Sequence, residues 1–334
     1  MISKKFKLFH CCIPVKGVTI GTIIDLQRDL HFSVPNNILE YIEEYSNKSL
    51  YYLFFDFKES KKILKKFIRF FIQNELVIVA DQLDCFTRLS TNYIRPFQID
   101  TITIEIVDFE NFHHNLFSLK IEELGVKALK IIIKDDVLIT IKKILDLLKN
   151  SKTLSISLFT PHNVEIERDL EFLCNKYFRL TQIIFFNYSP NNKEIKRKNT
   201  IFNYDFLPVE KVFYKGVQNP NNFVININSF LEAVNFNLNY NRTIYIDSNG
   251  NLKRHMLDVV DFGIITSVDI SIQIENNVIS ELWHITKDKI NICKDCQFRY
   301  ICPDDRVPIK LNPADLFYSH LTNCKYDPYT DKWN

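Results

Sequence analysis

Four near-continuous apolar runs mark the middle of the chain: TITIEIV at 101–107, KALKIII at 127–133, TLSISLF at 153–159 and TQIIFFN at 181–187. Their starts are 26, 26 and 28 residues apart, and amphipathic stretches such as DVLITIKKILDLLKN at 136–150 lie between them. Apolar strands alternating with helices at this period predict βα units around a parallel sheet. Strand candidates at 211–214 and 223–227 bring the expected count to six. A partial βα barrel over about 98–230 fits this pattern better than an open doubly wound sheet. The polar segment SPNNKEIKRKN at 189–199 reads as an exposed connection.

Both flanks read differently. Strands are expected over 5–12, 18–25 and 31–34, the last stopped by Pro35. A helix follows to Tyr45, capped by Asn36 or Asn37. A second runs from about Glu59 to Asn74, with Ile63, Leu64, Phe67, Ile68 and Phe71 on one face at helical spacing. Lys61, Lys62, Lys65, Lys66 and Arg69 fill the other face, and a strand at 76–80 closes a winged-helix-like unit. After residue 235, TIYIDSNGNLKRH predicts a hairpin turning at Asn249-Gly250, and a helix is expected over about 267–283.

The 334 residues correspond by length to about two domains, at most three. Forty-two basic and forty acidic side chains leave a net charge of +2, so no global field for nucleic acid or membrane exists. No apolar run approaches signal-peptide or bilayer-spanning length, and a cytoplasmic location is expected. Only 6 glycines occur. None forms a Gly-x-Gly or precedes a lysine, which excludes glycine-type dinucleotide and P-loop phosphate cradles.

Four of the eight cysteines fall in the last 42 residues, as Cys293-x2-Cys296-x5-Cys302 and, after 21 intervening residues, Cys324. In a reducing compartment that cluster reads as a metal site before it reads as disulfides. Four thiolates satisfy either tetrahedral zinc or a 4Fe–4S cluster, and ligand softness alone does not choose. Cys11, Cys12, Cys85 and Cys174 sit among apolar residues and read as buried structural thiols. Asp304 and Arg306 are expected to fix the cluster loop by a salt bridge. Asp305 and Asp315 show no pairing with a base. His113 and His114, adjacent at a helix start, read as polar residues. No Ser–His–Asp or Cys–His motif is recognisable.

These cysteines resemble the SPASM domain, the C-terminal auxiliary-cluster module of radical SAM peptide-modifying enzymes. The resemblance extends to the SPASM-domain peptide maturases of grasp-with-spasm ribosomal-peptide systems, carried by CKDCQFRYICPDDR at 293–306, LTNCKYDPYTDKW at 321–333 and IDSNGNLK at 246–253. KLFHCCIPVKG and IIDLQRDLHFSVPN near the N-terminus agree with it. The resemblance implies that Cys293, Cys296, Cys302 and Cys324 hold one 4Fe–4S auxiliary cluster, with zinc as the alternative. The family's other auxiliary cluster has lost its ligands: His255 stands where a cysteine would follow Gly250, and Arg306 replaces another. His255 reads as a surface residue of the hairpin rather than a relic ligand. No Cys-x3-Cys-x2-Cys occurs in the chain, DFENFHHNLF following the first central strand instead, so no S-adenosylmethionine is expected.

The N-terminal unit resembles the PqqD-like module that captures leader peptides as an added strand. The resemblance implies a peptide edge at His31, Phe32, Ser33 and Val34, with Lys62, Lys65, Lys66 and Arg69 suited to an acidic leader. A solvated basic face on a structural domain is the alternative for these residues. Winged helices also bind DNA, but that requires a wider basic field than this chain has.

The expected class is therefore α/β: a winged-helix-like unit over 1–90, a degenerate radical SAM-like partial barrel over 98–234, and a SPASM-like metal-binding domain over 235–334. The implied role is accessory maturation of a ribosomally made peptide, with precursor and ATP-grasp ligase as partners. A redox peptide-modifying enzyme and a structural zinc module are the rivals.

Overall fold

Short β-branched runs at the N-terminus pair locally, while the longer central runs pair across helices. In the computed structural model, which describes residues 3–96, 98–107, 109, 114–135, 137–189 and 192–334, contacts group the chain into two compact units. The first comprises Met1–Tyr93, Gly216–Leu238 and Ile285–Asn334; the second comprises Ile94–Lys215 and Asn239–His284. Residues 235–334, read from sequence as one block, contribute to both.

In the first unit, β1 (Lys5–Leu8) pairs antiparallel with β5 (Val77–Ala80). β2 (Cys12–Val15), β3 (Gly21–Asp25) and β4 (Leu30–Val34) form a separate antiparallel meander, with β4 at one edge. Helices α1 (Asn36–Glu44), α2 (Leu50–Asp56) and α3 (Lys61–Gln73) follow. Their core contains Phe6, Ile23, Ile24, Leu39, Leu53, Leu64 and Phe71. Each such side chain contributes about 1.5–3 kcal/mol by leaving water.

The expected elements appear here with four differences. The strand expected over 5–12 breaks after Leu8 at a turn in which Cys12 N donates to Phe9 O at 3.0 Å, so its ends belong to β1 and β2. Pro35, not an asparagine, occupies the N-cap of α1; Asn36 instead donates from Nδ2 to Gly17 O at 2.8 Å. Helix α2 was not foreseen, because its seven residues, LYYLFFD, are too few and too uniformly apolar to show a period. Its cap is local: the Ser49 hydroxyl accepts from Tyr51 N at 3.1 Å. On α3, Leu64, Ile68 and Phe71 are buried, but Ile63 faces solvent.

The second unit is built on one eight-stranded, mostly parallel sheet. Its strands are β6 (Thr101–Ile106), β7 (Ala128–Ile133), β8 (Ser155–Pro161), β9 (Leu180–Phe186), β10 (Lys193–Arg197), β11 (Thr200–Tyr204), β12 (Thr243–Ile246) and β13 (Leu252–Lys253). The order is β10-β11-β9-β8-β7-β6-β12-β13. All four expected central strands are present and mutually parallel. Helices α4 (His114–Leu124), α5 (Val137–Leu147) and α6 (Val164–Lys176) make the crossovers. No strand pairing joins β10 to β13 among the described residues, so the sheet has two free ends, as an incompletely closed βα sheet does.

The remaining departures have local causes. The segment 189–199 is not simply a connection: KEIKR forms β10, an antiparallel edge strand whose charges protect an unpaired edge. The candidate strand at 211–214 falls in α7 (Val209–Phe213), which starts after Pro208. That at 223–227 leads into the helix Ile227–Asn235, capped by Asn226 through a 2.9 Å bond from Ser229 N. The helix expected over 267–283 is only Ile270–Glu275, ended by Asn277 at φ +55°, with a separate 3-10 turn at Glu281–His284. The expected hairpin is present, but its turn is Asp247–Gly250, closed by Gly250 N donating to Asp247 O at 2.9 Å with Gly250 at φ +82°, rather than a two-residue turn at Asn249-Gly250. Cys11 and Cys12 are buried and Cys174 partly so, but Cys85 is exposed rather than a core thiol.

Candidate metal centre

The C-terminal segment of the first unit has little regular structure, so its position depends on a few backbone bonds. Ile292, immediately before Cys293, has φ +69°. A β-branched residue in that region is strained by roughly 1–3 kcal/mol. The strain turns the chain into the 3-10 turn Cys293–Asp295, closed by Cys296 N donating to Cys293 O at 3.0 Å. Phe298 N lies 3.4 Å from Cys296 Sγ and donates to it. The segment rests on the loop between β2 and β3: Val18 N donates to Asp295 O at 2.8 Å, and Arg299 Nη1 donates to Lys16 O at 2.7 Å.

Cys293, Cys296, Cys302 and Cys324 influence one another electrostatically, but among the described residues no three of them bring their sulfur atoms within 4.8 Å of one another. Burial pushes the Cys293 thiol up to about 11, with Cys324 adding to the rise while Lys287 opposes it. Burial pushes Cys296 up to about 12, with Cys293 and Cys324 adding to it. Cys302 is raised well above its ordinary value, again chiefly by burial, with Cys293 and Cys296 contributing. As bare thiols Cys293, Cys296 and Cys302 keep their protons at neutral pH. A soft cation replaces those protons, which is how thiolate sites bind metals.

Beside the thiols lies a buried ionic group centred on Asp304. Arg306 grips both carboxylate oxygens, Nε to Oδ1 at 2.9 Å and Nη2 to Oδ2 at 2.7 Å, and Lys287 Nζ stands 3.1 Å from Oδ2. Burial alone would raise the Asp304 carboxyl, but Lys287 and Arg306 hold it far below the carboxylate range. The salt bridge expected between Asp304 and Arg306 is thus present. Two cations against one carboxylate leave a net positive charge facing the sulfurs, which suits an anionic thiolate–metal centre. Gly216, at φ +70°, covers this pair: a Cβ there would stand 3.1 Å from Arg306 Nε and 3.3 Å from Asp304 Oδ1. Asp305 accepts from Gly216 N at 2.7 Å, and Asp315 accepts from Asn312 N at 2.9 Å, so both serve loop geometry.

One residue of the centre was missed from sequence. Ligand atoms of Cys293, Asp304 and His320 all lie within 4.8 Å of one another. Two isolated bridges, Ile290 with Tyr318 and Ile309 with Ser319, deliver His320 to this point. The available signal was its spacing, four residues before Cys324.

The other sequence candidates fall as follows. β4 is an edge strand, so its outer side lacks a strand partner among the described residues. Phe32 packs on Phe70 of α3 at 5.7 Å, Ser33 is exposed and Val34 is buried. His31 is only partly exposed and packs edge-on against Phe298 and Phe223, at 5.2 and 5.7 Å. Lys62, Lys65, Lys66 and Arg69 are all exposed on α3. His255, expected on the surface, is partly buried between Tyr214 and Tyr240, and burial lowers its pKa to about 4. His113 lies outside the described residues and His114 opens α4.

A second trio, Cys11, Cys12 and Asp25, also has ligand atoms within 4.8 Å of one another. There Asp25 accepts from Arg28 Nε at 2.5 Å and from the amides of Gln27 and Arg28, so its oxygens serve its own turn. A cavity of about 510 Å³ touches Cys11, Asp25 and Arg28 and none of the four C-terminal cysteines.

Fold and site together define a mixed α/β protein with a large, mostly parallel sheet and a cysteine-rich candidate metal centre. No family model and no curated protein matches the chain. Among solved structures it is similar to Streptococcus suis SuiB bound to S-adenosylmethionine, with 11% identity, a TM-score of 0.34, and coverage of 89% of this chain and 94% of that one. A second structure of Streptococcus suis SuiB gives 11% identity, a TM-score of 0.28, and coverage of 91% and 94%. No helix among the described residues is long and apolar enough to cross a membrane.

Proposed function

We propose that this chain is an accessory maturation protein for a ribosomally made, post-translationally modified peptide, carrying one thiolate-held metal centre and working with an ATP-grasp ligase. What supports the reading is the Cys293-x2-Cys296-x5-Cys302 spacing with Cys324 behind it, and the mutual electrostatic influence of these thiols beside the buried Lys287–Asp304–Arg306 group. In this reading the four sulfurs hold a 4Fe–4S cluster, and the two cations compensate its negative charge. Such a cluster supplies one-electron redox capacity and a rigid cross-link between distant segments. The precursor's leader adds as a strand to the outer edge of β4, and the basic face of α3 steers an acidic leader toward it.

Two measurements test this. Anaerobic purification followed by iron, zinc and sulfide analysis is expected to give four irons and four sulfides per chain, about one cluster's worth. Zinc without iron would replace the cluster by a structural ion. Titration with the precursor peptide and with the ligase is expected to show binding of both; binding of neither would remove the maturation role.

A further inference from the structure

His320 donates from Nδ1 to the carbonyl oxygen of Val307, at 3.2 Å. A carbonyl only accepts, so the hydrogen sits on Nδ1, and in the neutral ring Nε2 presents a lone pair. That Nε2 atom is buried and has no hydrogen-bond partner among the described residues, and the side chain is only 5% exposed. It stands 3.3 Å from Asp304 Oδ2 with no hydrogen bond between them, and Asp304 is itself an acceptor committed to Arg306 and Lys287. Two lone pairs facing each other in a buried site are mutually repulsive and leave a polar atom unsatisfied. Cys293 Sγ lies within 4.8 Å of both. A cation at this point satisfies Nε2 and takes the place of the Cys293 proton.

We propose that His320 Nε2 is a ligand of the metal that Cys293 helps to hold, so that the centre has mixed sulfur and nitrogen donors rather than four sulfurs alone. The inference rests on the metal-binding reading above and departs from it in the ligand set, His320 taking the place of one of the other three sulfurs. On binding, Nε2 gives its lone pair to the metal and loses no proton, while the Cys293 thiol releases its proton to solvent. Asp304 remains beside the ion, held by its two cations, and Val307 O fixes the ring, as outer partners commonly do for metal-bound imidazoles. Nitrogen at such a site suits zinc, cobalt and iron alike.

The test uses the full chain in two forms. In the apo chain titrated with Co(II), His320→Gln is expected to weaken binding at least about tenfold and to shift the ligand-field bands. His320→Cys is expected to restore affinity with an all-sulfur spectrum. In the iron-loaded, reduced wild-type chain, pulsed electron paramagnetic resonance is expected to show a nitrogen coupling that changes when the histidines are labelled with ¹⁵N. This wild-type measurement does not depend on any variant folding. Metal bound with no histidine nitrogen coupling, and a cobalt spectrum unchanged by His320→Gln, would overturn the ligand assignment while leaving the metal centre standing. A chain that takes up neither cobalt nor iron would overturn both.

Discussion

Phe298 meets the His31 ring edge-on at a centroid distance of 5.2 Å and an interplanar angle of 69°, while its own amide donates to Cys296 Sγ. Strand β4 and the cysteine segment therefore share one wall, extended through Phe223, Tyr326 and Trp333. Phe298→Ala removes the centre of that wall. The cost is expected to be about 3–5 kcal/mol. Hydrogen exchange should quicken at the amides of Leu30–Val34 as well as around Cys296. Faster exchange around Cys296 alone would show that the two are not coupled.

Asp304→Asn leaves Lys287 and Arg306, both buried, without their shared countercharge. Removing one partner of such a group costs about 3–5 kcal/mol. Urea denaturation of the metal-free chain should show a lower midpoint with an unchanged slope. A midpoint equal to wild type would mean that the group contributes nothing net.

Ile292 places a β-branched residue at φ +69°, with the residue 43% exposed. Glycine adopts that backbone without the Cβ penalty, and little packing is lost. Ile292→Gly is expected to raise apo stability by about 1 kcal/mol, measured as a shift in melting temperature. A clear loss would place the residue's value in packing rather than backbone geometry.

His255 is held at a pKa of about 4 by burial, with Arg254 lowering and Asp258 raising it, against 6.5 in the unfolded chain. The unfolded state therefore takes up the proton first as pH falls. The folded state's advantage is complete above about pH 6.5 and is lost progressively down to about pH 4. On the order of 2 kcal/mol is expected to disappear between about pH 7 and about pH 5. His255→Phe should flatten that part of the stability profile; an equally steep profile in the variant would assign the loss to other groups.

Lys62, Lys65, Lys66 and Arg69 form an exposed basic row on α3. Reversing Lys65 and Lys66 to glutamate is expected to slow association with an acidic leader peptide by about tenfold at low salt, with little change in dissociation. Stopped-flow fluorescence at two ionic strengths measures both rates. Equal association rates for wild type and variant would detach this helix from peptide capture.

Much of the fold was visible in the linear pattern because the four central strands are buried on both faces. Continuous apolar runs starting every 26–28 residues match buried parallel strands joined by helices and little else. The elements that stayed hidden had no periodic signal. KEIKR is a strand because β11 offers it an antiparallel partner, and LYYLFFD is a helix because Ser49 caps it and the core receives Leu50, Leu53 and Phe54. At the site, the Cys-x2-Cys-x5-Cys spacing marked the thiols, since short-range ligands must follow one another along a tight turn. Lys287 and His320 gave no comparable mark. Their roles depend on Asp304, on Val307 and on two isolated bridges contributed from elsewhere in the segment.

Composition, strand period and thiol spacing, all local properties of the polymer, are enough to specify an α/β chain with a sulfur-rich tail. Which charges oppose those sulfurs, which imidazole nitrogen is left bare beside them and which strand edge stays open are set by long-range folding. Burial turns an ordinary lysine, aspartate, arginine and histidine into an electrostatic unit only when the backbone brings them within a few ångströms and removes the water between them.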